Sequence, residues 1–487
     1  MTVKNSGYSE GSASIEKNRL KTWHPRKLSP VSDINLNLST LRNRSSSLAI
    51  NTPIGSAVIE TMSLYVIGSG LKLSPKIDSE VLGLSQSEAR NWQEKTRREW
   101  EIYSNSVNVD FYRRNNFKDL QQIAFTNMLI DGDSFVLYRR VRPESIRNPY
   151  TLKLQIIEGN RVSNPNQSEM YTGNIVINPN NGNRIIDGVE IDRVGRLIAY
   201  WISSGVPSDI TEQAYNKIEW ERVEAYGEET GSRNILQICR DVRPGQTRGV
   251  SFMSPVIETI KQISRYVDAE LDSAITRSFY SLFFTQFTQP TQFNLNQLSN
   301  EDREPIDTTG FSLSPGTVTS LPMGVDVKAI DSSKQSAFPA FIVELFKEIG
   351  ASLCISYEVL LHHFSSSYSA SRAALLQSWD NFKRWRACFI RDFCQPIYEQ
   401  FLIEAIAHGR IKADRFFSDP IYRQAWSKAE WYGTSMSVLD PKKEMEATKL
   451  KLELGLTTHE KEAAELTGTN YFDNIDQLTH EGVKLNG

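Results

Sequence analysis

Residues 254–284 hold the feature that most limits what this chain can become. After the loop Arg243-Pro244-Gly245 and Gly249, Ser254-Pro255 reads as an N-cap followed by proline in the first helical turn. Around and beyond it, Met253, Val256, Ile257, Ile260, Ile263, Val267, Leu271, Ala274, Ile275, Phe279 and Leu282 recur at steps of three and four. Lys261, Arg265, Asp268, Asp272 and Arg277 fall mostly on other faces, which predicts an amphipathic helix of roughly 30 residues, about 45 Å long. No Pro or Gly interrupts it after Pro255. A helix of that length exceeds the usual globular range, so its stripe needs partners along its whole extent, including partners from other subunits.

The rest of the chain supplies ample material for a core. Its 487 residues suffice for two or three lobes, and 39% hydrophobic with 23% charged residues suits a soluble globular protein. A net charge of -3 argues against a protein that grips nucleic acid by bulk electrostatics, since such binders display basic patches. Cys239, Cys354, Cys388 and Cys394 have no CxxC spacing, which predicts buried reduced thiols and neither disulfides nor metal. No run approaches 18 apolar residues and no apolar signal core opens the chain, so neither a membrane span nor a signal peptide is expected.

Residues 1–38, rich in Ser, Asn, Lys and Arg, read as a flexible, mildly basic arm. Residues 41–67 are helical, restarted at Asn51-Thr52-Pro53, and the pair Gly68 and Gly70 stops them. Helices are expected at 89–105 and 117–130. Asp131-Gly132-Asp133 then turns the chain into a strand at 134–140. Between 151 and 238 the pattern becomes strands divided by Asn-Pro, Asn-Gly and Val-Gly-Arg turns, a β-rich module packed on helices. Residues 288–331 lose periodicity. A second apolar helix, about 339–355, follows on Phe338, Phe341, Ile342, Leu345, Ile349 and Leu353. The pair of helices with an irregular insert suggests a hairpin-like stalk carrying a small module at its tip. A serine-rich loop at 357–371 bears His362 and His363. From Arg372 a long helix runs to Ala407, kinked by Pro396 and ended by Gly409, and the remainder is polar and helical.

Motifs that carry chemistry are sparse. There is no Walker loop, no GxGxxG opening a helix, no HExxH and no metal-spaced Cys/His pair. The glycine pair at 68 and 70 follows a helix instead of opening one, so a helix stop explains it better than a phosphate cradle. Asp131-Gly132-Asp133 lacks the other ligands of a calcium loop. Gly7-Tyr8-Ser9-Glu10-Gly11 matches a nucleophile-elbow pattern, but no strand precedes it and no helix follows. Adjacent histidines do not face one way on a helix, and a mobile loop is their default setting. Three function classes stay in play: a ring-forming structural conduit, a metal-dependent DNA-processing nuclease and a non-viral helical scaffold.

Three stretches separate them. Residues 243–260 (RPGQTRGVS followed by SPVIETI), 368–379 (YSASRAALLQSW), and 439–447 (LDPKKEMEA) with its following Gly-Leu-Thr-Thr resemble the portal proteins of tailed phages, specifically the lambda family. The resemblance runs in consistent order from about Arg42 to about Gly468. It includes Gly188-Val189-Glu190-Ile191-Asp192, Gly195-Arg196 and Ala199-Tyr200-Trp201, similar to a family hairpin. It implies an α+β portal fold, mainly helical with a β-rich wing and a long-helix stem, assembled as a ring of about twelve copies. Residues 1–40 would be the arm, 41–251 the wing, 252–285 and 332–356 the stem, 286–331 the clip, 357–371 the tunnel loop, 372–409 a kinked helix behind it, and 410–487 the crown and tail. The family is not enzymatic and needs no cofactor. Implied partners are terminase large subunit, neck, head-completion and tail proteins, major capsid and scaffold proteins, and double-stranded DNA in weak contact, at a capsid vertex of a virion made in the host cytoplasm. His362, His363, Ser365, Ser366, Ser367, Tyr368 and Arg372 are expected to approach DNA in the channel. Arg265, Asp268, Asp272, Lys383, Arg384 and Arg386 are expected between subunits.

Overall fold

The computed structural model describes residues 25–142, 149–165, 175–209, 217–279, 283–286, 325–328, 338–364, 367–435 and 441–482. The chain divides into two compact units, residues 1–254 with 368–487, and residues 255–367.

The first unit begins earlier than its composition suggested. Ser29 caps a short helical turn, Pro30–Asp33, and residues 35–37 continue into α1, Leu38–Asn51. Ile34, Asn35 and Leu38 are buried, so the arm ends near residue 29 and not near 40: three side chains with a packing site are enough to order it. Thr52 caps α2, Pro53–Val66, with Pro53 in its first turn, and β1 is Lys72–Pro75. A capping box from Ser85 and Glu88 starts α3, Gln86–Ser104, and one from Asn116 and Asp119 starts α4, Phe117–Asp131. Gly132, at φ +91°, ends α4 and releases β2, Asp133–Arg140.

The strand region matches the expected change of period. β3, Leu152–Glu158, pairs with β2, and β2 with β9, Ile235–Cys239, giving the order β3-β2-β9. A second antiparallel sheet runs β4 (Ile175–Ile177), β5 (Arg184–Ile186), β6 (Val189–Ile191), β7 (Leu197–Ser203) and β8 (Trp220–Glu224). Phe135, Leu137 and Ile157 of the first sheet share one apolar cluster with Ile186, Val189, Tyr200 and Ile202 of the second. β8 was not expected, because Trp220-Glu221-Arg222-Val223-Glu224 carries three charges; Arg222 reaches the carboxylate of the fully buried Glu190, and the strand is held that way.

In the second unit, α5 spans Ile257–Phe279 and α6 Phe338–Leu353, with the strands β10, Phe283–Gln286, and β11, Val325–Lys328, paired antiparallel between them. α5 is shorter than the roughly 30 residues its stripe predicted: Phe283 and Phe284, read as its last turn, lie in β10. The other residues of 287–337 lie outside the described set. One short turn, Tyr357–Leu360, follows α6.

The first unit resumes with α7, Tyr368–Phe389, so residues 368–371 are helix and not loop. A five-residue π turn, Ile390–Cys394, leads into α8, Gln395–Ala407. Pro396 has no N–H and its ring would meet the carbonyl four residues back, so the widened turn just ahead of it is the form the expected kink takes. Residues 411–432 are not a polar tail. They contribute α9, Pro420–Ser427, and β12, Ala429–Tyr432, which pairs with β1, and they bury Ile411, Phe416, Trp426 and Trp431. Trp100 of α3 lies edge-on to Phe117, Tyr398, Phe401 and Trp431 at 5.0 to 5.9 Å, the centre of the helical layer. Helices α10 (Pro441–Glu453), α11 (His459–Thr467) and α12 (Tyr471–His480) complete the chain. All four cysteines are free thiols, but only Cys394 is buried: Cys239 and Cys388 are partly buried, and Cys354, at a positive φ just past α6, is exposed.

Candidate functional site

Two neighbourhoods matter: the stalk helices with the loop that follows them, and the buried charges at the foot of the loop leading to the stalk.

The predicted stripe of α5 divides in two. Ile260 and Ile263 are buried, and Tyr266 packs its ring against Phe338 at 5.1 Å and Phe341 at 5.5 Å. Farther along, Val267 is 41% exposed, Leu271 58% and Ile275 46%, and Phe341 of α6 is 52% exposed. Among the described residues, the stripe is covered at its root and open from Val267 to Ile275. Arg265, Asp268 and Asp272 are exposed beside it.

In the expected tunnel loop, His362, His363 and Phe364 are exposed. His362 takes a positive φ of 50°, and the backbone N–H of His363 donates to the carbonyl of Glu358 at 3.0 Å. Ser365 and Ser366 lie outside the described residues, and Ser367 is exposed. Tyr368 opens α7, with Arg372 one turn on and half-buried.

The basic residues of α7 do not act as one group. Lys383 lies 3.5 Å from Glu465 of the same chain, and Arg384 donates to the Asn381 side-chain Oδ1 at 2.9 Å. Arg386 donates to the main-chain carbonyls of Val66 at 2.9 Å, Tyr65 at 2.7 Å and Thr434 at 3.0 Å. It stacks over Trp379, and burial lowers its pKa. Within the chain its Nε and Nη2 donors are taken by three helix-end and loop carbonyls.

The second neighbourhood was missed from the sequence. Asp133, read only as part of a turn, is fully buried and is gripped by two arginines. Arg248 donates through Nε at 2.6 Å and Nη2 at 3.0 Å, and Arg42 of α1 through Nη2 at 2.7 Å. The backbone N–H of Gly249 adds a bond at 3.1 Å. The remaining donors of the two guanidiniums go to the carbonyls of Asp131, Gly159, Val162 and Asp187. Burial would raise the Asp133 carboxyl, but the two arginines hold it below the usual range. Burial and the neighbouring Arg248 push Arg42 down to about 10, whereas burial raises Asp131 to about 6. Gly132 and Gly249 cross back to back: a Cβ on Gly249 would sit 1.9 Å from the Gly132 oxygen. The same hub receives the N-terminal segment, where Asn35 donates to Asp187 and Arg243 donates to Asp33 at 2.5 Å and to the Leu28 carbonyl at 2.7 Å. The only sequence signal was two glycines beside charged residues, and nothing local reports that positions 42, 133 and 248 meet.

Among the described residues no three His, Cys, Asp or Glu side chains converge as metal ligands, and no helix is long and apolar enough to cross a membrane. What stands is a mixed α+β unit with a buried charged hub, and a two-helix unit whose apolar flank is open among the described residues. Phage portal proteins of the lambda family match residues 16–386. Portal protein B of Escherichia phage lambda is 24% identical, over 98% of this chain and 90% of its own, and the portal protein of Escherichia phage N15 is 23% identical, over 96% and 88%. Solved chains from the virion of a native gene transfer agent particle (12% identical, TM-score 0.42, covering 91% of this chain and 93% of that one) and from the neck of the native particle computed with C12 symmetry (12%, TM-score 0.41, 88% and 97%) are also similar. The chain belongs to the lambda family of phage portal proteins.

Proposed function

We propose that copies of this chain close into a ring of about twelve at one vertex of a capsid and serve as the conduit for double-stranded DNA during packaging and ejection. The observation that carries the reading is the distal flank of α5. Val267, Leu271 and Ile275 form a row of β-branched and leucine side chains left open among the described residues, with Arg265, Asp268 and Asp272 exposed along one edge of it. A head-to-tail neighbour covers such a flank and pairs such charges, and a repeated head-to-tail contact closes a ring.

In this reading the α5–α6 stalk is the stem. Residues 286–331 are the clip, docking terminase large subunit and later the neck, head-completion and tail proteins, while the wing meets major capsid and scaffold proteins. His362, His363 and residues 365–367 line the channel, with Arg372 behind them at the start of α7. The crown reduces to the helices beyond residue 436, since 411–432 belong to the helical layer. A near-neutral chain touches duplex phosphate weakly, which suits sliding, because each neutralised phosphate adds a salt-sensitive attraction. The protein works by shape and assembly, without catalysis or cofactor, in the virion after synthesis in the host cytoplasm.

Native mass spectrometry with negative-stain imaging tests this. The wild-type chain gives closed rings with an open channel, and Leu271→Asp gives folded monomers with unchanged circular dichroism. A wild-type chain that stays monomeric at every salt and protein concentration, or rings unaffected by Leu271→Asp, overturns it.

A further inference from the structure

The last three helices bury little against the body. Among the described residues no apolar side chain after Trp431 is buried; within α10 to α12 only Thr448 and Glu462 are. Grooves of about 920 and 380 Å³ run between these helices and the body. What bridges them is charge. Lys76 pairs with Glu460, Arg97 with Asp473 at 2.8 Å and Lys383 with Glu465 at 3.5 Å. Arg90 sits over the Phe472 ring at 4.6 Å, and Asn470 donates to Ser74 at 3.3 Å.

The pairs all run the same way. In the three ion pairs just named every cation is on the body, in the residue after β1, α3 or α7, and every carboxylate is on α11 or α12. Residues 441–482 carry nine carboxylates against five lysines, and from His459 onward six against one. The body side also shows Lys72, which lines the smaller groove beside Arg97.

We propose that α10 to α12 are an electrostatically latched cover, and that the basic strip beneath it, Lys72, Lys76, Arg90, Arg97 and Lys383, takes a phosphodiester polyanion when the cover lifts. Partly exposed ion pairs are individually weak and are screened by salt, and among the described residues of the three helices no fully buried apolar side chain adds to them. The acidic face of α11 and α12 presents carboxylates where phosphates would otherwise sit. A polyanion at high local concentration competes for the same cations.

Ser74, 6% exposed in β1 beneath Asn470, reports whether the cover is down. In the full-length chain carrying Ser74→Cys with Cys239→Ser, Cys354→Ser and Cys388→Ser, thiol labelling should accelerate about tenfold between 0.05 and 1 M NaCl, as three screened pairs imply. Glu460→Gln with Glu465→Gln and Asp473→Asn should reach that rate at 0.05 M NaCl and bind a 12-base-pair duplex about tenfold more tightly than the parent. A control with the same charge change away from the latch, Glu446→Gln with Glu453→Gln and Asp476→Asn, should do neither. Labelling that ignores salt, or equal duplex binding by the two triple variants, overturns the proposal; neither outcome depends on whether the chain forms rings.

Discussion

Replacing Arg248 by methionine tests how much of this fold hangs on its buried charges. The guanidinium makes five hydrogen bonds, two to the Asp133 carboxylate and one each to the carbonyls of Val162, Asp187 and Gly159. Both side chains of the pair are wholly buried. In the variant, Asp133 keeps Arg42 and the Gly249 N–H but loses half of its neutralising charge, and three carbonyls lose a donor where water does not replace it. Stranding one partner of a buried pair costs about 3–5 kcal/mol, so Arg248→Met should lose about 4 kcal/mol. Arg248→Lys restores the charge but not the fork, and should recover about half of that. Urea unfolding, followed by tryptophan fluorescence and far-UV circular dichroism at 0.15 and 0.6 M NaCl, measures both. The loss should be the same at the two salts, because a pair without solvent contact is not screened. A cost under about 1 kcal/mol, or one that fades with salt, refutes the claim that Asp133 is held by a desolvated pair.

Other consequences follow from the same geometry. Asp131 is raised to about 6 by burial, against an ordinary value near 3.8, so its ionisation favours the unfolded chain and removes stability as pH climbs from about 4 to about 6. Asp131→Asn should therefore be more stable than wild type by about 1–3 kcal/mol at pH 7.5 and indistinguishable from it at pH 4, read by urea midpoints at the two pH values. Gly249→Ala places a methyl 1.9 Å from the Gly132 oxygen, against backbone that cannot yield, and should abolish soluble expression, whereas Gly245→Ala, whose Cβ meets nothing within 4 Å, should be lost only to the strain of its φ of 78°, about 1 kcal/mol. Arg386→Ala frees three carbonyls at the end of α2 and beside Thr434, and should cost about 2–3 kcal/mol in the same urea assay without changing the oligomer's mass.

Local pattern was a sound guide wherever local physics decides. The period of α5, the stops at Gly68 and Gly132, the restart at Thr52-Pro53 and the switch to alternating strands beyond residue 151 all express interactions within a few residues, so they can be read along the chain. Family membership was also legible, because ordered short motifs survive where most positions have changed. Tertiary structure alone decided three things. It joined Arg42, Asp133 and Arg248, which no periodicity relates, into one hub. It paired β1 with β12 across some 350 residues, moving 411–432 from tail to core. And it turned Arg386 inward, where the open ends of other elements needed donors. Each is a long-range closure whose energy depends on burial, and burial is set by what the whole chain folds around, not by the residues beside it in sequence.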